Sequence, residues 1–213
     1  MNIFVKYAKV TSISFIFALG IQANISSYAD PNTAFLQATV DWDKFSELLA
    51  SYLDYPSTRN AALLSEALPK SPPEEATGDR IRAFELLFSP EAYPVLKNEI
   101  FAGDRNAVEV AFRLLNTSDG FSTTTLLMTI GALIRINPRL FLEVVLEHRN
   151  SDFIKKKGYP VYSVGPGYYF RLEAQKYELE MRIKALQSVQ DQKYNDIRKA
   201  CIEKLMESIH RLQ

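Results

Sequence analysis

The chain has little with which to do acid–base, redox or metal chemistry. It holds one cysteine (Cys201) and two histidines (His148 and His210) in 213 residues. A single cysteine excludes an internal disulfide. Metal sites draw on clustered His, Cys, Asp or Glu. The closest acidic neighbours are Asp41 with Asp43, which read as a helix cap and a first-turn acid, and Glu74 with Glu75, which fall in a loop. There is no His-Glu-x-x-His pair, no Gly-x-Ser-x-Gly elbow and no phosphate-cradling Gly-x-x-x-x-Gly-Lys-Ser/Thr loop. Charge of one sign is lacking too: 25 basic and 25 acidic residues give a net charge of zero. That balance removes the excess of lysine and arginine on which nucleic-acid binding rests. It gives no pull toward an anionic membrane surface either. No cofactor is implied.

Long apolar runs are also absent, and the longest one carries an address. Lys6 and Lys9 precede Val10 to Ile21, an uncharged run interrupted by Thr11, Ser12 and Ser14. A membrane-spanning helix needs about 20 consecutive apolar residues, and this run is too short and too polar. Ser27, Tyr28 and Ala29 place small residues at −3 and −1 of a cut before Asp30. A basic start, an apolar middle and a small-residue end describe a secretory signal peptide over residues 1–29. A cut after Ala23 is the weaker alternative, because Ile21 would sit at −3. No cysteine stands near the run to accept lipid. Cleavage leaves 184 residues with 23 basic and 25 acidic side chains, a single domain of net charge −2. The expected address is a bacterial periplasm or the exterior.

Apolar residues recur at helical spacing almost throughout this mature part. Asp41 is expected to cap a helix with Trp42, Phe45, Leu49 and Tyr52 inward, stopped by Pro56. Ser57 or Thr58 caps a second with Leu63, Leu64 and Leu68. Residues 69–78 (PKSPPEEATG) read as a flexible loop. Asp79 opens a helix burying Ile81, Phe84, Leu87 and Phe88. Ser89-Pro90 and Tyr93-Pro94 are both start signals. Gly103 ends one helix and Asp104 caps the next. Ser122 caps another, and Asn137-Pro138 opens one more. The last 43 residues read as a hairpin of two long helices. The first buries Leu172, Leu179, Ile183 and Leu186, with Glu178–Arg182 and Glu180–Lys184 as exposed i,i+4 pairs. The second carries Ile197, Cys201, Leu205 and Ile209 on one stripe, which makes Cys201 a small core residue and a poor thiolate. Both histidines fall near helix C-termini, where the dipole favours a cation. The fold expected is all-α, an irregular bundle or short α–α array of about seven to nine helices. Asp104 and Asn137 start similar helices 33 residues apart. In this apolar pattern alone, over residues 79–148, the chain resembles HEAT-like α–α repeats.

One stretch does not fit the helical pattern. Residues 151–169 (SDFIKKKGYPVYSVGPGYY) carry Lys155, Lys156 and Lys157, then Tyr159, Tyr162, Tyr168 and Tyr169 among glycines and prolines. Such density excludes a helix, and Val161 with Val164 suits a short extended piece. Tyrosine brings flat contact area at low entropic cost, so the segment suits a recognition surface. The three lysines would add attraction for an acidic partner. The competing reading is that the tyrosines lie over the helix ends and plug the core. The function expected is therefore non-catalytic: an envelope protein that binds a protein partner. One alternative is an inhibitor or immunity-type protein that inserts this loop into an enzyme. A second is a hydrolase with an unrecognised site, for instance a pocket gathering Arg171, Glu173 and a loop tyrosine.

Overall fold

Helix starts follow the capping residues. Asp41 accepts a hydrogen bond from the Lys44 amide at 2.9 Å, Ser57 from Asn60 at 3.2 Å and Asn137 from Leu140 at 3.1 Å. Asp104 accepts two, from Asn106 and Ala107. Each such cap stabilises its helix by about 1 kcal/mol. The computed structural model describes residues 40–68, 78–118, 120–163 and 171–212. The signal segment, the loop residues 69–77, Val164, Tyr168 and Tyr169 lie outside the described residues.

Ten helices run through them, with no strand among the described residues. They are α1 (Trp42–Asp54), α2 (Thr58–Ala67), α3 (Gly78–Leu87), α4 (Tyr93–Ala102), α5 (Arg105–Thr117), α6 (Gly120–Ile136), α7 (Pro138–His148), α8 (Asp152–Lys157), α9 (Leu172–Ser188) and α10 (Asn195–His210). The all-α expectation holds. The helix beyond the expected number is α8, inside the stretch read as loop. Its local signals outweigh the glycines that follow. Ser151 accepts from the Ile154 amide at 3.3 Å, Asp152 sits in the first turn and the three lysines complement the C-terminal dipole. Gly158, at φ +83°, takes the chain out of the helix.

Other boundaries differ in the same local way. Helix α6 starts at Gly120, two residues before Ser122, and Gly78, read as the end of a loop, opens α3. Ser89-Pro90 opens only a turn, in which Ser89 Oγ accepts from the Ala92 amide, and Tyr93-Pro94 opens α4. Ile81, Leu63 and Leu172, read as inward, are exposed.

The helices stack as pairs. The α4–α5 pair packs on α6–α7, with α4 on α6 and α5 on α7. That pair packs on α9–α10, with α6 on α9 and α7 on α10. At the other end α1 packs on α2 and α3, and α2 lies along α5. Phe45, Leu49, Leu64, Leu96, Ile100, Leu114, Leu126, Ile130, Phe141, Val145, Leu186 and Leu205 form the continuous core.

The largest departure from the sequence reading is on α9. Glu178 and Arg182 are buried, not exposed, and Arg182 is 2% exposed. Arg182 Nε donates to Glu178 Oε1 at 3.2 Å, and Arg135 of α6 donates to Glu178 Oε2 at 2.8 Å. Arg182 Nη1 donates to the carbonyl oxygens of Val161 at 2.6 Å and Ser163 at 2.8 Å. Gly131 of α6 makes room for the guanidinium. A Cβ there would overlap Arg182 Nη1 and stand 3.0 Å from the Ser163 carbonyl oxygen. Gly131→Ala should therefore destabilise the fold by about 1–3 kcal/mol, the usual cost of overpacking. Urea unfolding checks this: an unchanged midpoint would mean that the guanidinium is not held against α6.

Candidate functional site

Three places in the fold bring together groups that chemistry or recognition can use. The first is the segment flagged by its tyrosines and lysines. Lys155, Lys156 and Lys157 are exposed on α8, and Lys156 and Lys157 edge a shallow polar hollow with Asn116, Thr123 and Asp152. Beyond Gly158 the chain runs as a strap against α6 and α9. Val161 is fully buried, Tyr159 is half-buried against the core and Tyr162 is exposed. Burial raises the Tyr159 phenol above its ordinary range, with Cys201 adding to the rise and Arg149 opposing it. The described part of the segment thus divides its tyrosines, one inward and one outward. The carbonyls of Val161 and Ser163 are fixed by Arg182, which makes the base of the strap rigid. Arg171 and Glu173 are exposed at the start of α9.

The second place is a buried ionic cluster between α5 and α7. Glu109 Oε2 lies 2.8 Å from His148 Nε2, and Arg113 Nε donates to Glu109 Oε1 at 2.7 Å. All three side chains are less than a fifth exposed. The His148 ring rests against Phe112 with centroids 5.3 Å apart, and Arg113 also donates to the Ser65 carbonyl at 2.7 Å. His148 does sit in the last turn of α7, but its partner is a carboxylate on a neighbouring helix as well as a dipole. A carboxylate beside an imidazole is a common catalytic pairing. Here both oxygens of Glu109 are engaged and the imidazole is covered, so the contact joins α5 to α7. Cys201 is fully buried in α10, and burial pushes its thiol well above the ordinary range. Among the described residues no group of three or more His, Cys, Asp or Glu is placed to hold a metal ion.

The third place is an open groove of about 350 Å³ between α3 and the start of α6. Its walls are Arg80, Ile81, Phe84, Phe88 and Phe121, with Glu85 and Ser122 at the edge. The rings continue inward: Phe84 meets Trp42 at 6.0 Å and Phe88 at 5.9 Å, and Phe88 stacks on Tyr93 at 5.2 Å. Arg80 lies over the Phe84 ring at 5.8 Å and donates to the Thr117 carbonyl, which ties α3 to the end of α5. Ile81 is 52% exposed and Phe121 75% exposed. Sequence reasoning missed this site because a helical stripe at i, i+3 and i+4 marks a covered face and an uncovered one alike. A lone Phe121 just after Gly120 was the one available signal. No helix among the described residues is long and apolar enough to cross a membrane. No family model, curated protein or solved structure matches the chain.

The Glu109 cluster has a measurable signature. Burial would raise its carboxyl, but the hydrogen bonds from His148 and Arg113 outweigh that and hold it at about 2, against an ordinary 4.5. A carboxyl with a depressed folded pKa contributes its full stability above its unfolded pKa and loses it as pH falls through the folded value. The contribution, at most about 3 kcal/mol, is present above about pH 4.5 and fades toward pH 2. Urea titrations across that window should show a steep fall in stability for the wild type and a shallower one for Glu109→Gln. Equal slopes would mean that the cluster is not formed.

Proposed function

We propose that this chain is a non-catalytic binding protein of the bacterial cell envelope, exported by residues 1–29. In this reading it holds an apolar, aromatic-bearing segment of a partner protein in the α3–α6 groove. The observation that carries the reading is the exposure of Ile81 and Phe121 on either side of a trough of phenylalanine rings. Single exposed apolar residues need no explanation, but several around one concavity favour an interaction site. Aromatic side chains seated in a pocket carry much of the energy of protein interfaces. An aromatic ring entering beside Phe84 and Phe88 would gain edge-to-face contacts beyond its area of burial. A concave helical surface left open by the described residues also suits a scaffold better than it suits an inhibitor.

The inhibitor reading keeps one supporting observation. Tyr162 is exposed on a strap whose carbonyls Arg182 fixes, and a rigid base lowers the entropic cost of presenting a loop. The two readings part in one experiment. The chain carrying Ile81→Ser with Phe121→Ser, and separately the chain carrying Tyr162→Ala, is used to capture partners from envelope extract. Loss of a wild-type partner with the groove variant alone is expected, with at least a tenfold drop in recovery. Loss with Tyr162→Ala alone would favour the inhibitor. Full retention by both variants would contradict both readings.

A further inference from the structure

The α9–α10 hairpin is the last layer of the stack among the described residues, and its largely charged outer side has apolar residues set into it. Stacked helix pairs need a polar outer face on the last repeat. Here two open hollows that share Glu203 form a groove between the two helices, one lined by Ile183, Met206 and Ile209, the other by Gln187, Lys199 and Ile202. Met206 is 59% exposed. We propose that a second copy of this chain occupies this groove, the two α9–α10 hairpins packing face to face as a two-fold symmetric four-helix bundle.

The argument for a second copy is the charge order along α10. Asp196, Lys199, Glu203, Glu207 and His210 form one exposed stripe, spaced three, four, four and three. That spacing is symmetric about Glu203. A two-fold axis at Glu203 lays α10 antiparallel on its mate, with residue numbers in each facing pair summing to a constant. Lys199 then faces the mate's Glu207, and Asp196 faces the mate's His210 in the last turn of the helix. Both contacts occur twice, because a two-fold interface pairs i with j and j with i. Glu203 meets its own copy on the axis. Ile183 and Glu203 line the same hollow, so the exposed Lys184 of α9 lies near the level of the axis. Within each copy Lys199 also stands 4.0 Å from Glu203. Each Glu203 at the axis therefore has the Lys199 of its own copy beside it. Met206, Ile202 and Ile183 of both copies fill the centre of the bundle.

The area suits this partner. Helix α10 has 16 residues and is about 24 Å long. Two helices about 9 Å apart present a face about 20 Å wide. The two copies together cover about 1,000 Å², the lower bound for a specific interface. A dissociation constant on the order of micromolar is expected, not nanomolar.

Sedimentation velocity on the full chain across a concentration series tests this. A monomer–dimer equilibrium with a micromolar constant is expected for the wild type. Lys199→Glu puts like charges opposite Glu207 on both sides of the axis and should weaken association at least tenfold. Adding Glu207→Lys to it restores opposite signs and should bring the constant back within about threefold of wild type. The rescue separates pairing across the axis from any loss of folding, and circular dichroism of each variant should match the wild type. A wild-type chain that stays monomeric to ~100 μM would overturn the proposal. So would a Lys199→Glu variant that dimerises normally, or a double variant that is not rescued.

Discussion

Arg182 is a charged side chain buried among helices, and the second half of the structure is arranged so that its charge and donors are satisfied. An unpaired guanidinium in that position would cost several kcal/mol. Its Nε is held by Glu178, which Arg135 also binds, and its Nη1 meets two strap carbonyls. Gly131 contributes by having no side chain, which lets the guanidinium lie against α6. One side chain thus joins three elements that are far apart in sequence: α6, the strap at 159–163 and α9. The strap that carries Tyr162 is ordered as a by-product of satisfying that charge.

The same device appears at the other junction of the stack. Between α4–α5 and α6–α7 the buried carboxylate is Glu109, held by His148 and Arg113. Between α6–α7 and α9–α10 it is Glu178, held by Arg135 and Arg182. Apolar stripes alone let packed helices slide by a turn at little cost. A buried carboxylate with partners on the neighbouring helix fits one register. The exposed bridges from Arg105 to Glu143 and Glu147 lie along the same α5–α7 seam but are screened by solvent and contribute little. Where the stack ends, apolar residues are left without cover. Ile81 with Phe121, and Met206, mark those two places.

Much of the helical frame was legible in the sequence because it is written locally. Asp41, Ser57, Asp104 and Asn137 act as caps within three residues of themselves, and Gly103 leaves its helix at φ +88°. Placement across helices was not legible. Glu178 and Arg182 have the i,i+4 spacing of a solvated pair, and only the approach of Arg135 and the strap makes them a buried one. Glu109 stands among Val108, Val110 and Ala111, so its acid was visible but its partner 39 residues away was not. Helix α8 was masked by the glycines and prolines that follow it, although Ser151 and Asp152 signalled it. The two grooves escaped notice for a related reason: Ile81 and Met206 fit helical stripes, and exposure is decided by what packs opposite.

The claim beneath all of this is that a single buried guanidinium locks the strap and α9 onto α6. Nitrogen-15 NMR of the arginine Nε–H groups at neutral pH reads it directly, with the resonance identified by its disappearance in Arg182→Lys. A sharp Arg182 signal that exchanges with water at least tenfold more slowly than those of surface arginines is expected. A signal lost to fast exchange would contradict the lock and, with it, the ordering of the strap.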